Sequence, residues 1–166
     1  AWDTYNTTNS PLAGNYIESF APDKQGNVWF SANRSKMNGV AFYDNNTTWH
    51  TFDTNTDSIV SDEISCIDVD IYENVWFASG SYNDTGITKF NGNSWITYQM
   101  ADTIPLKEIQ DMITDQEGNV WLTAFGFQGV LRFDGISWTL FNTANSNLIS
   151  DYIQCMEADK YGNVWF

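Results

Sequence analysis

The sequence predicts an all-β protein, a β-propeller of four-stranded antiparallel blades. Three observations carry this reading. One short stretch occurs four times: Gly26-Asn27-Val28-Trp29-Phe30, Glu73-Asn74-Val75-Trp76-Phe77, Gly118-Asn119-Val120-Trp121-Leu122 and Gly162-Asn163-Val164-Trp165-Phe166. Its tryptophans are 47, 45 and 44 residues apart, a period that indicates stacked supersecondary units. Each unit holds short β-branched and aromatic runs separated by turn residues, with no helical periodicity.

Each repeat has the same internal order. It opens on a Trp segment: Trp2-Asp3-Thr4-Tyr5, Trp49-His50-Thr51-Phe52, Trp95-Ile96-Thr97-Tyr98 and Trp138-Thr139-Leu140-Phe141. Aromatic and β-branched residues in this order suit a short strand. A polar loop follows, rich in Asn, Thr, Ser and Asp, which bond their own backbone in turns. An apolar plug sits near the loop's end: Leu12, Ile59, Ile104 or Leu148.

A strand opening on Ile comes next, over 17–21, 64–69, 109–114 and 153–158. It stops at a turn, Asp23-Lys24-Gln25-Gly26, Asp115-Gln116-Glu117-Gly118 or Asp159-Lys160-Tyr161-Gly162. Asp at the first position and Gly at the fourth mark a type I turn whose Gly takes the positive φ needed to re-enter a strand. The second repeat has Glu73 where the others have Gly, so mild backbone strain is expected there. The Val-Trp-Phe strand, a variable loop and a third strand (39–43, 86–90, 129–133) complete the unit. Asn91-Gly92 and Asp134-Gly135 are hairpin signals.

The repeats run over 2–48, 49–94, 95–137 and 138–166, the last incomplete, within a single propeller region over 1–166. Fifteen strands are expected, about 3.75 blades, because the third strand of the last repeat is missing. Unpaired strand edges are costly when buried and a hazard when exposed. Three arrangements accommodate this: part of a larger ring, two copies closing one ring, or an open array using the free edges.

Aromatics make up 16% of the chain and follow the repeat, so Trp2, Trp29, Trp49, Trp76, Trp95, Trp121, Trp138 and Trp165 are expected to pack the blades. The net charge of −14, from 21 acidic and 7 basic residues, argues against nucleic acid or an anionic membrane as partner. It suits cationic partners, Ca²⁺ or simple solubility. No apolar run is long enough to span a membrane. Residues 1–5 lack the basic and apolar regions of a signal peptide, which is compatible with a removed leader. Cys66 and Cys155 hold the same repeat position two units apart, beyond the roughly 7 Å Cα separation a disulfide spans. Two free, mostly buried thiols are expected.

Function is expected on the variable loops of one propeller face. The loop over 31–38 carries Arg34 and Lys36, that over 78–85 carries Tyr82, and that over 123–128 carries Phe125 and Phe127 around Gly126. Exposed aromatics near a basic pair suit a small molecule, a glycan or a protein. Packing of Phe125 and Phe127 on a neighbouring blade is the alternative. Asp23, Asp115 and Asp159 each offer one carboxylate, whereas Ca²⁺ takes roughly six to eight oxygens, so they read as turn formers with Gly26, Gly118 and Gly162. Asp57, Asp62 and Glu63 form a denser acidic group without EF-hand spacing. No metal or cofactor is expected. His50, the sole histidine, falls on an outer strand. There is no Ser-His-Asp set, CxxC zinc site or phosphate-binding Gly loop, and no enzyme is expected.

The pattern Asp-x-x-Gly-Asn-Val-Trp-Phe followed by Gly-Val-x-x-Phe-Asp-Gly-x-x-Trp resembles the two-component regulator propeller repeat, over the whole chain. That resemblance implies an extracytoplasmic (periplasmic or extracellular) bacterial sensor propeller that binds ligand without catalysis. Such repeats also occur in secreted proteins without a kinase. A structural, self-assembling role through free blade edges is the alternative. The first half of the pattern is also similar to the streptogramin B lyase propeller, which implies a His–Glu base on the loop face. His50 departs from that placement.

Overall fold

The computed structural model describes residues 2–12, 14–32, 39–45, 47–55, 57–59, 61–79, 86–100, 109–126 and 129–166. Its described elements are all strands. The first sheet comprises β1 (Ile17–Pro22), β2 (Val28–Ala32), β3 (Val40–Tyr43) and β4 (Trp49–Phe52). The second comprises β5 (Ile64–Val69), β6 (Val75–Ser79), β7 (Gly86–Phe90) and β8 (Trp95–Gln99). The third comprises β9 (Ile109–Thr114), β10 (Val120–Ala124), β11 (Val130–Phe133) and β12 (Trp138–Phe141). The last has only β13 (Glu157–Ala158) and β14 (Val164–Trp165).

Every sheet is an antiparallel meander in sequence order. Each of the first three takes its fourth strand from the Trp segment that opens the following sequence repeat. β1 lies against β5, and β5 against β9, so these are the inner strands of neighbouring blades.

The turn between the first two strands of each blade is one hydrogen-bonded unit. Asp115 Oδ1 accepts from the backbone N–H groups of Glu117 and Asn119, both at 2.9 Å. Its Oδ2 accepts from Asn119 Nδ2 at 2.8 Å and from the Trp121 indole at 2.8 Å. Asp70 and Asp159 repeat the pattern, with the indoles of Trp76 and Trp165 at 2.9 and 3.1 Å. The carboxylate therefore aims the tryptophan as well as closing the turn. Gly26, Gly118 and Gly162 have φ near +85°, and Glu73, the expected strained residue, has φ +65°.

Burial follows from sheets packing on both faces. The central strand β6 is buried at every position. Between the first and second sheets, Trp29 packs with Phe52, Phe77 and Phe90. Between the second and third, Trp76 packs with Tyr98 and Phe133. Trp29 and Trp76 are buried, and Trp49, Trp95, Trp121 and Trp138 half-buried. The plug Ile59 is buried, Leu12 and Leu148 are half-buried, and Ile104 lies outside the described residues.

Four expectations need correction. There are fourteen strands rather than fifteen among the described residues, because Trp2–Tyr5 forms none. Tyr5 does rest on Tyr43 and Trp49, with centroids 5.5 and 5.4 Å away. Trp2 is fully exposed and Trp165 62% exposed, since no further sheet covers them among the described residues. The strand expected over 153–158 is reduced to Glu157–Ala158. Both thiols are free, but Cys155 is exposed while Cys66 is buried against the third sheet.

Two glycines test how closely the backbone is packed. A Cβ at Gly129 (φ +123°) would overlap the carbonyl oxygen of Phe141, whereas one at Gly135 (φ +92°) would meet nothing. Gly135→Ala is expected to cost only the positive-φ penalty, about 1 kcal/mol. Gly129→Ala requires backbone displacement as well and is expected to cost about 3 kcal/mol or more. Urea unfolding of the two variants measures the difference.

Candidate functional site

The inner strands begin on the face that carries the long loops. Each of the first three starts with a β-bulge at the same place: between Ile17 and Ser19, Ile64 and Cys66, and Ile109 and Asp111. The residue left unpaired is Glu18, Ser65 or Gln110. A bulge frees one residue from the ladder and re-aims its side chain, which is why bulges recur beside functional sites. Glu18, Ser65 and Gln110 come from three different blades and line one cleft of about 240 Å³ with Ile109 and Phe125. Phe125 stands at the end of β10 and is 65% exposed. Ser65 Oγ already donates to the Ala78 carbonyl at 3.2 Å and Gln110 Nε2 to the Gln154 carbonyl at 3.4 Å, so the site offers the Glu18 carboxylate, the acceptor oxygens of Ser65 and Gln110, and an aromatic face.

Below the cleft the inner strands hold the blades in register. Ser19 Oγ accepts from Ile67 N–H at 3.0 Å, and Asp111 Oδ2 from Met156 N–H at 2.6 Å. Asp68 Oδ2 accepts from both the backbone N–H and the hydroxyl of Thr114, at 2.6 and 2.8 Å. Burial pushes the Asp68 and Asp111 carboxyls up, outweighing these bonds. Burial also pushes the Cys66 thiol up to about 12, so it is an inert packing group. The turn carboxylates behave oppositely. The Asn163 side chain and its backbone N–H hold Asp159 down at about 2. Burial opposes ionisation of Asp115, but Asn119, Trp121 and two backbone donors outweigh it and lower its pKa.

Of the sequence-predicted loop residues, Phe125 lies in this cleft. Arg34, Lys36, Tyr82 and Phe127 lie outside the described residues. Asp23, Asp115 and Asp159 close their turns as described above. Asp62 clamps its loop by accepting from Thr54 N–H and hydroxyl at 2.7 and 2.8 Å, and Asp57 accepts from Asp53 N–H. Among the described residues no three metal-ligating side chains converge. His50 lies near the turn face, with Nε2 3.6 Å from Asp44 Oδ2. Sequence reading missed Glu18, Ser65 and Gln110. The available signal was a polar residue directly after the Ile that opens each inner strand.

The family model for the two-component regulator propeller matches residues 11–34, which include β1 and β2. No curated protein matches the sequence significantly. Among solved structures, the chain is similar to the extracellular domain of the putative hybrid two-component system BT3049 from B. thetaiotaomicron. The TM-score is 0.72 at 21% identity, over 98% of this chain and 22% of that one. Virginiamycin B lyase from Staphylococcus aureus aligns with TM-score 0.70 at 15% identity, over 98% of this chain and 51% of that one. PorZ, a surface component of the type-IX secretion system of Porphyromonas gingivalis, aligns with TM-score 0.61 at 17% identity, over 90% and 24%. These likenesses establish the fold, a β-propeller. The chain spans between about a fifth and a half of the length of these structures. Among the described residues no helix is long and apolar enough to cross a membrane.

The opposed pKa directions set the acid response. Asp68 and Asp111 titrate higher when folded, so stability rises as pH falls from neutral through their folded-state range. Asp115 and Asp159 titrate lower when folded. Their stabilisation is complete above the unfolded carboxylate range, about pH 4, and is lost as pH falls towards their folded values. Urea midpoints between pH 7 and pH 2.5 are expected to pass through a maximum on the acid side of neutrality. Asp68→Asn is expected to flatten the upper limb and leave the lower one intact.

Proposed function

We propose that this chain is a non-catalytic, ligand-binding propeller of the sensor type, extracytoplasmic, acting through its loop face. The observation that supports it is the convergence of three bulge residues, Glu18, Ser65 and Gln110, with the exposed ring of Phe125 in one cleft. Hydrogen-bonding groups around an aromatic platform suit a sugar ring or a peptide side chain. The partial family match and the likeness to the extracellular domain of a putative hybrid two-component system agree with this reading. His50, the sole histidine, is absent from the cleft lining, which sets the chain apart from a lyase-type base on that face. The test is thermal-shift and calorimetric titration with neutral oligosaccharides and short peptides. At least one is expected to stabilise the protein. Phe125→Ala is expected to weaken that ligand about tenfold or more, or about 1.4 kcal/mol, with the unliganded melting temperature unchanged. Equal binding to the variant, or no ligand at all, would contradict the loop-face reading.

A second reading is self-association through unpaired blade edges. A cleft of about 270 Å³, lined by Trp121, Phe141, Leu148 and Phe166, stands beside the two-stranded last sheet. At the two earlier interfaces, Phe90 or Phe133 covers the equivalent tryptophan. Light scattering decides it: a species well above 18.9 kDa that grows with concentration is the expected signature.

A further inference from the structure

The repeats act as their own reference, and the first blade departs from the others at one place. In the second, third and last units the turn carboxylate takes the tryptophan indole N–H as well as the Asn side chain. In the first, Asp23 Oδ2 takes Asn27 Nδ2 at 2.7 Å, and the buried Trp29 indole N–H has no partner among the described residues. The residue paired across from the tryptophan also differs. It is Lys89 in the second blade, its ammonium 5.2 Å from the Trp76 ring, and Arg132 in the third, its guanidinium 5.8 Å from Trp121. In the first blade it is Phe42, 4.4 Å from Trp29 and backed by His50 at 5.4 Å. Two blades hold an intrinsic cation over the indole, and the first holds an aromatic stack.

Beside that stack lies a cleft of about 430 Å³ between the first two blades, on the turn face opposite the loops. This volume falls in the roughly 300–1,000 Å³ range of ligand sites. Trp29, Phe42, His50 and Phe90 line it with Asp23 and Asn91. Glu73 also borders it, but Lys24 at 2.8 Å already pairs its charge, whereas Asp23 has no ion pair among the described residues and its Oδ2 accepts from Asn27 Nδ2 alone.

We propose that this cleft receives the cation of a lysine or arginine side chain presented by a partner polypeptide. The cation would lie against the aromatic faces and donate to Asp23 Oδ2, replacing from outside what Lys89 and Arg132 supply from within. Aromatic faces and a carboxylate each favour a cation, and together they discriminate against a neutral side chain. The net charge of −14 draws basic partners to the surface. The site is separate from the loop-face cleft and does not rest on its function.

The experiment is an NMR titration of the ¹⁵N-labelled protein with N-acetyl-arginine amide, whose only charge is the guanidinium. N-acetyl-norleucine amide serves as the uncharged comparison. The Trp29 indole resonance is identified by its loss in Trp29→Phe. The arginine compound is expected to shift it saturably and the norleucine compound to leave it unmoved. Phe42→Lys builds in the cation the second blade already has and is expected to weaken binding at least tenfold, with the other indole signals retained. Asp23→Asn keeps an acceptor oxygen for the turn, removes the charge and is expected to weaken binding similarly. An equal response to norleucine, undiminished binding in both variants, or no shift at tens of millimolar probe would overturn the proposal.

Discussion

Each complete turn depends on one carboxylate. Asp70 and Asp115 are 3% and 6% exposed, yet no cation neutralises them through an ion pair among the described residues. Moving a carboxylate out of water costs several kcal/mol unless hydrogen bonds replace its hydration. Here the replacement is a set of neutral N–H donors: two from the backbone of the turn, one from the Asn side chain and one from the indole. An ionised carboxylate offers about four acceptor sites, so this set matches its capacity. Such charge-assisted bonds are roughly twice as strong as neutral ones. The turn, the second strand and the tryptophan's orientation are therefore one unit, and the tryptophan then packs against the next blade.

That hand-off explains why the molecule is held between blades rather than within them. A single meander of four short strands buries little by itself. Stacked, its middle strands lose both faces to neighbours, as β6 does. The inner strands add polar ties whose acceptors differ: Ser19 and Asp111 reach the strand of the next blade from the same repeat position, and Asp68 does so from a different one. Rigidity arises from these two layers, which leaves the loop face free to vary. The bulge at the head of each of the first three inner strands then turns one polar residue per blade towards that face.

Local chemistry was legible and neighbour-dependent chemistry was not. Asp-x-x-Gly announces its turn because every determinant lies within four residues. The strands at Ile64–Val69 and Ile109–Thr114 were readable end to end for the same reason. The bond from Asp115 to the Trp121 indole joins residues six apart across a turn and a strand, and only the hairpin register reveals it. Burial was the weakest inference. Trp2 and Trp76 occupy different motifs but look alike as aromatic strand residues, yet one is fully exposed and the other 2% exposed, because burial belongs to the adjoining sheet. Cys66 and Cys155 make the same point at one repeat position. At the loop-face cleft the exposed aromatic Phe125 could be read. Its companions could not, since a bulge is a property of two paired strands.

In a repeat protein the positions that hold the fold recur, so the departures carry each blade's individuality. Two departures fall at the junction of the first and second blades. Glu73 replaces Gly and is held at φ +65°, a conformation that costs a non-Gly residue about 1–3 kcal/mol. Its contact with Lys24 is 2.8 Å, but the Lys24 side chain is 69% exposed, and an exposed ion pair returns only about 0–1 kcal/mol. At the same junction Phe42 stands where the next two blades have a cation, and the Trp29 indole N–H has no acceptor among the described residues, a buried unsatisfied donor at a further cost of about 1–3 kcal/mol. The magnitudes do not balance in favour of stability. Strain and an unmet donor gathered beside a carboxylate with acceptor capacity are what a junction shaped for recognition would show, whereas the second and third blades, with their internal cations, show what the same repeat does when packing alone decides.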